Sequence, residues 1–123
     1  MHRLAVLVLV GIVAVAYASD RAPLENQKIA YLLKAIETLN NAQFIRNGTA
    51  YDAKSAAEHL RLKLSNAGSR IKTADDFIRY CASFSSASGA PYRIRFSDGR
   101  IVTSQAYLRQ KLSEFRMPAN KGA

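Results

Sequence analysis

The chain is short of the residues on which most protein chemistry relies. Its 123 residues include one cysteine, two histidines and no tryptophan. One thiol cannot close an intrachain disulfide, and one Cys with two His cannot complete a closed zinc site of Cys and His ligands. Acidic residues are also scarce, with 9 Asp and Glu against 18 Lys and Arg, a formal net charge of +9. Three prolines and six glycines are too few for a collagen-like or low-complexity chain. No H-E-x-x-H, G-x-S-x-G, phosphate-loop or EF-hand pattern occurs. The paired acids Asp75 and Asp76 point about 100° apart on a helix, which suits a helix N-terminus better than acid–base work. Neither catalytic residues nor a cofactor or metal is expected.

What is present describes a single globular domain behind a leader. Hydrophobic residues make up 49% and charged residues 22%, ordinary values for one domain. The longest uncharged apolar run, Leu4 to Val15, follows Met1-His2-Arg3 and precedes Ala16-Tyr17-Ala18. A basic head, a short apolar stretch and an A-x-A site form a secretory signal. Such a run rises about 18 Å as a helix, against about 30 Å for a bilayer core. The pattern predicts a cleaved signal over 1–18, a domain over 19–116 and a flexible tail over 117–123. A retained anchor is the alternative. Ser19 rather than Cys follows the cut, so there is no lipoprotein signal. No later run is long enough to span a membrane.

Without residues 1–18 the chain keeps 17 basic and 9 acidic residues, a net charge of +8. That balance either favours anionic partners or serves solubility alone. No nucleic-acid partner is expected, since the basic residues are scattered and an exported protein rarely meets nucleic acid.

Apolar spacing predicts a helix from Pro23 to Asn40, with Ile29, Leu32, Leu33, Ile36 and Leu39 in one stripe. A short extended piece, Phe44 to Arg46, meets the turn dipeptide Asn47-Gly48. A second helix runs from Asp52 to Ala67, capped by Asp52 or by a Ser55/Glu58 box and carrying a small-residue stripe. Gly68 terminates it. A third runs from Thr73, capped with Asp76, to Ser83; a fourth follows a Thr103 or Ser104 cap to Arg116. Between them, Tyr92–Ser97 and Arg100–Thr103 flank Asp98-Gly99, read as a two-residue hairpin turn. In that register Phe96 opposes Ile101, and Arg93, Arg95 and Arg100 share one face with Val102. The fold class is α+β, about four helices packed on a small antiparallel hairpin.

The three arginines are the most concrete candidate site. Guanidinium groups suit carboxylate and phosphate, and the flanking loop with Ser85, Ser86, Ser88, Gly89 and Tyr92 offers hydroxyls and backbone N–H donors. The plainer reading is an exposed, aggregation-resistant face. Cys81 falls on the face of Phe77 and Ile78, as a buried thiol would. His59 flanks the small-residue stripe, either as a partly exposed structural histidine or as a base for Cys81.

Four phrases in order, Phe44-Ile45-Arg46-Asn47-Gly48, His59-Leu60-Arg61-Leu62-Lys63, Ile71 to Ile78 and Ser85 to Tyr92, resemble the YfeK-like family. These are small exported proteins of Gram-negative bacteria with a domain of unknown function. The resemblance implies a periplasmic location and supplies no ligand or catalytic residue. It makes Arg46, Asn47, His59 and Arg61, polar residues within those phrases, second-line candidates. Some relatives carry cysteines matching Ala42 and Phe96, which implies that these positions are neighbours and that 42–46 forms a third strand beside the hairpin. Ser88-Gly89-Ala90-Pro91-Tyr92 also resembles a loop of periplasmic lysozyme inhibitors. The reading is therefore a non-enzymatic periplasmic module for an anionic envelope component or a protein partner. The rival is a protein inhibitor acting through Ser88–Tyr92. The oligomeric state is open.

Overall fold

A computed structural model describes residues 21–117. The leader over 1–18 and the tail from 118 lie outside the described residues. The order of elements is α1 (Pro23–Glu37), β1 (Gln43–Arg46), β2 (Thr49–Tyr51), α2 (Ala53–Ala67), α3 (Ala74–Cys81), β3 (Arg93–Arg95), β4 (Ile101–Thr103) and α4 (Ser104–Glu114). This is the expected α+β class, with a four-stranded sheet in place of a single hairpin.

The helices begin where their caps permit. Asp52 accepts the Ser55 N–H at 2.8 Å and starts α2, leaving the Ser55/Glu58 alternative unused. Thr73 and Asp76 form a full capping box at α3, and Thr103 accepts the Ala106 N–H at 3.1 Å at α4. A longer-range contact supplements the cap of α3: the Glu25 carboxylate accepts the Ala74 N–H at 2.8 Å. Helix α1 stops three residues before Asn40. Thr38 folds both its N–H and its hydroxyl onto the Lys34 carbonyl, Leu39 tightens onto Ile36, and Asn41 has a φ of 57°.

The sheet runs β2-β1-β3-β4, every pair antiparallel. Asn47 and Gly48, at φ 51° and 78°, join β1 to β2 in the two-residue turn their chemistry favours. Strand β1 pairs with β3 through Gln43↔Arg95 and Phe44↔Ile94. One further step of that register sets Ala42 opposite Phe96, as the family resemblance implies.

The hairpin register differs from the expected one by a residue. Asp98 Oδ1 accepts the Arg100 N–H at 2.9 Å, and the Phe96 N–H reaches the Arg100 carbonyl at 2.8 Å. The loop is thus three residues, Ser97 to Gly99, with Gly99 at φ 91°, the longer hairpin type with glycine at its positive-φ position. Arg95 then faces Ile101 and Ile94 faces Val102. Val102 turns inward and Ile101 outward, 48% exposed. Arg100 leaves the Arg93/Arg95 face and lies over the Phe96 ring at 4.5 Å.

The helices pack on the Phe44–Ile94–Val102 face of the sheet. Leu32, Ile36, Ile71, Phe77, Ile78, Ile94 and Leu108 are fully buried there. The stripe of α2 does what small residues allow: Ala57 is fully buried, and α2 lies against α1. Cys81 is part of this core, as its spacing implies. Among the described residues, no helix is long and apolar enough to cross a membrane.

Candidate functional site

Alternation in β1 places Phe44 on the inner face, and Arg46, two residues on, follows it. Phe44 is buried in the core, whereas Arg46 lies where the sheet end meets α2 and is only half-buried. Helix α2 brings His59 and Lys63 to the same edge, because residues four apart share a helical face. Tyr51 arrives from β2 and Tyr92 from the residue before β3.

These five side chains form one connected group. Arg46 Nη2 donates to Tyr51 Oη at 3.0 Å, and Arg46 Nη1 lies 3.3 Å from His59 Nε2. His59 Nε2 is 3.3 Å from Tyr92 Oη. Lys63 Nζ donates to Tyr92 Oη at 3.1 Å and to the Phe84 carbonyl at 3.0 Å. A guanidinium offers donors only, so Nε2 must accept and the His59 proton belongs on Nδ1. The Tyr92 hydroxyl then donates to Nε2 while its oxygen accepts from Lys63.

The electrostatics agree with a neutral imidazole. Burial lowers the His59 pKa, and the charges of Arg46 and Lys63 lower it further. The hydrogen bond to Tyr51 pushes the Arg46 pKa upward, keeping the guanidinium charged. Among the described residues neither Arg46 nor Lys63 forms an ion pair with a carboxylate. Elsewhere cations do find acids: Arg61 with Glu37 at 3.0 Å, and Arg109 with Asp75 at 2.6 Å.

Behind this group lies a cavity of about 230 Å³, between α2 and the inner face of β1 and β2. Ile36, Phe44, Ala56 and Leu60 form its apolar part, and Arg46, Tyr51, His59 and Tyr92 its polar part. An apolar pocket with a few convergent polar groups and a shifted titrating residue is the usual form of a small-ligand site. A wider groove of about 620 Å³ runs past Lys63, Arg70 and Tyr80. Its cations hold main-chain carbonyls, Arg70 that of Ala67 and Lys63 that of Phe84.

The residues singled out from the sequence are dispersed by the fold. Arg93 and Arg95 are exposed, Arg95 donating to Gln43 Oε1 at 3.0 Å and Arg93 bordering the cavity from β3. Arg100 lies with Phe96 and, at 3.8 Å, Asp98. The loop from Ser85 to Ala90 uses its donors internally. Ser85 Oγ accepts the N–H groups of Ala87 and Ser88, Ser88 Oγ accepts that of Ala90, and the Gly89 N–H closes onto the Ser85 carbonyl. Asn47 clamps this loop by donating to Ser85 Oγ at 3.0 Å and accepting from the Ser88 hydroxyl. Ser86 is exposed at the wider groove. Tyr92 is buried and points to His59 and Lys63, so it is not displayed as an inhibitory loop tip would be. Of the second-line residues, Arg46 and His59 are in the pocket, Asn47 is the clamp and Arg61 pairs with Glu37. Cys81 is buried in the core and desolvation pushes its thiol pKa up, which keeps it protonated and unreactive. Tyr51 and Lys63 were not singled out. The His59-x₃-Lys63 spacing was the available signal for the second, and the Asn47-Gly48 hairpin, which brings Tyr51 back beside Arg46, for the first.

Residues 23–116 match the family of unknown function DUF5329. The chain belongs to this family. It is also 44% identical over 68 residues to the uncharacterized protein YfeK of Salmonella typhimurium, a match covering 55% of this chain and 57% of that protein. The chain thus spans little more than half the length of that curated relative. No solved structure matches it. The family extends across every element described above, so the Arg46–His59–Lys63 group lies within its matched span.

Proposed function

We propose that this chain is an exported, periplasmic binding module, not an enzyme, for an anionic component of the cell envelope, and that its site is the Arg46–His59–Lys63 pocket. One observation carries the reading. Arg46, a cation with no carboxylate partner among the described residues, meets a neutral histidine at an apolar cavity, and Lys63 joins them through the Tyr92 hydroxyl. An anion there would supply the missing counter-charge. The leader pattern over 1–18 supports export, and the basic balance of the remaining chain supports an anionic partner.

The test is an NMR titration of the ¹⁵N-labelled protein with acetate, inorganic phosphate and the uncharged control acetamide. The reading expects shifts at Arg46, Tyr51, His59 and Tyr92 with an anion, fading as salt is raised. Equal shifts with acetamide, shifts confined to Arg95–Arg100, or no shifts would each overturn it.

A further inference from the structure

The cavity says more about the ligand than that it is an anion. Its volume, about 230 Å³, corresponds to about eight water-sized groups. That is room for a small organic group. Much of its lining is hydrocarbon, from Ile36, Phe44, Ala56 and Leu60, with Ser55 and Ser104 as its two hydroxyl-bearing serines. Its polar side is cationic. Arg46 uses two of its five N–H donors, on His59 and Tyr51, so a fork remains for a planar oxyanion. Arg46 lines the cavity half-buried, Arg93 borders it from β3 as an exposed residue, and Lys63 stands behind the Tyr92 hydroxyl. A single charge fits that arrangement better than a phosphate dianion.

We infer that the pocket takes a small amphiphilic carboxylic acid, its carboxylate on Arg46 beside His59 and its hydrocarbon body against Phe44, Ala56 and Leu60. The inference rests on the anion-binding reading above and names the class of anion. His59 takes part through its position. The groups facing it are Arg46 from β1, Tyr92 from the segment before β3 and Lys63 from its own helix. A bound carboxylate adds a negative charge to this set, so His59 gains a proton more readily when the ligand is present.

The experiment is a calorimetric series of straight-chain carboxylates from acetate to decanoate, with butyl phosphate as a second head group. Affinity rises about fourfold per methylene while the chain fills hydrocarbon space. Hexanoate then binds on the order of a hundredfold more tightly than acetate, and the gain ends near eight carbons. Ala56→Leu, which fills the cavity from a helical position that favours leucine, removes the chain-length gain. In the bound protein the His59 ring titrates at higher pH than in the free protein. A flat series with acetate still binding would overturn this inference and leave the anion reading standing. Tighter binding of butyl phosphate than of pentanoate would overturn the head-group assignment. If no anion binds, both readings fail together.

Discussion

Two arginine-bearing surfaces lie on opposite faces of the same sheet. On the outer face Arg93 and Arg95 stand exposed beside Gln43 and Ile101, Arg95 donating to Gln43. On the inner face Arg46 is half-buried; it contacts Tyr51 and His59, and His59 leads through Tyr92 to Lys63. The outer pair is two residues apart in sequence; the inner group is collected from positions 46, 51, 59, 63 and 92. Charge in water interacts weakly, whereas charge at the edge of an apolar cavity is felt strongly. Density of arginine along one strand therefore marks a surface, and convergence without counter-ions marks a site.

The separation of the two surfaces depends on the register of β1 against β3, and a cross-link tests that most severely. The double variant Ala42→Cys/Phe96→Cys should oxidise to a disulfide. Closing a loop of roughly 55 residues stabilises the oxidised over the reduced form by about 4 kcal/mol in the chain-entropy account. Urea unfolding of the two forms of the same variant measures the difference. Failure to cross-link, or a bridge that destabilises, would mean that the strands are not aligned as described.

The second test compares the surfaces directly. Arg46→Gln should weaken hexanoate binding at least tenfold, about 1.4 kcal/mol. Arg95→Ala/Arg100→Ala, a larger change in net charge, should alter it less than twofold at physiological salt, where exposed charges are screened. Equal losses would show that net charge, not convergence, holds the ligand.

A third test concerns the clamp between the β1–β2 turn and the Ser85–Ala90 loop. Asn47→Ala loses tolerance of positive φ and two side-chain hydrogen bonds, and should cost about 1–2 kcal/mol of stability. Asn47→Gly keeps the φ and loses only the bonds, and should cost about half as much. Chemical denaturation of both variants checks this; equal costs would assign the whole effect to the clamp.

How much of this was legible in the sequence follows from the range of each interaction. Asp52, Thr73 with Asp76, and Thr103 cap their helices within three residues, so the helices could be read locally. The Asn47-Gly48 turn was local too. The Asp98-Gly99 turn was recognised but given the wrong length, since the Asp98 side chain binds the Arg100 N–H and draws a third residue into the loop. That single residue changes which arginines are neighbours, because side chains alternate with period two. Strand β2 has little apolar pattern of its own and is defined by pairing with β1. The pocket was the least legible part. Its members are hydrogen-bonded across 5 to 33 positions in the chain, and only the His59–Lys63 spacing announces a shared face.

The smallest expected effect is also the one that joins the two halves of the argument. In the free protein the His59 pKa lies below its ordinary 6.5 because burial, Arg46 and Lys63 all disfavour the imidazolium. Between that lowered value and 6.5 the unfolded chain binds the proton and the folded chain does not. Stability from this residue is therefore complete above pH 6.5 and is lost as pH falls through the folded-state pKa. His59→Gln should flatten unfolding free energy across that window. The acid loss from Glu37 and Asp52, whose carboxyl pKa values are lowered by Arg61 and by the Ser55 contacts respectively, lies at lower pH and should persist. Ligand affinity should run the other way. A carboxylate beside the ring favours the imidazolium, so hexanoate binds more tightly as pH falls from neutrality toward the acid's own ionisation. A residue serving only the fold would give the first slope without the second. Measuring both on one protein, by denaturation in the absence of ligand and by calorimetry in its presence, decides whether the convergence of Arg46, His59 and Lys63 is structural or is a receptor for an anion.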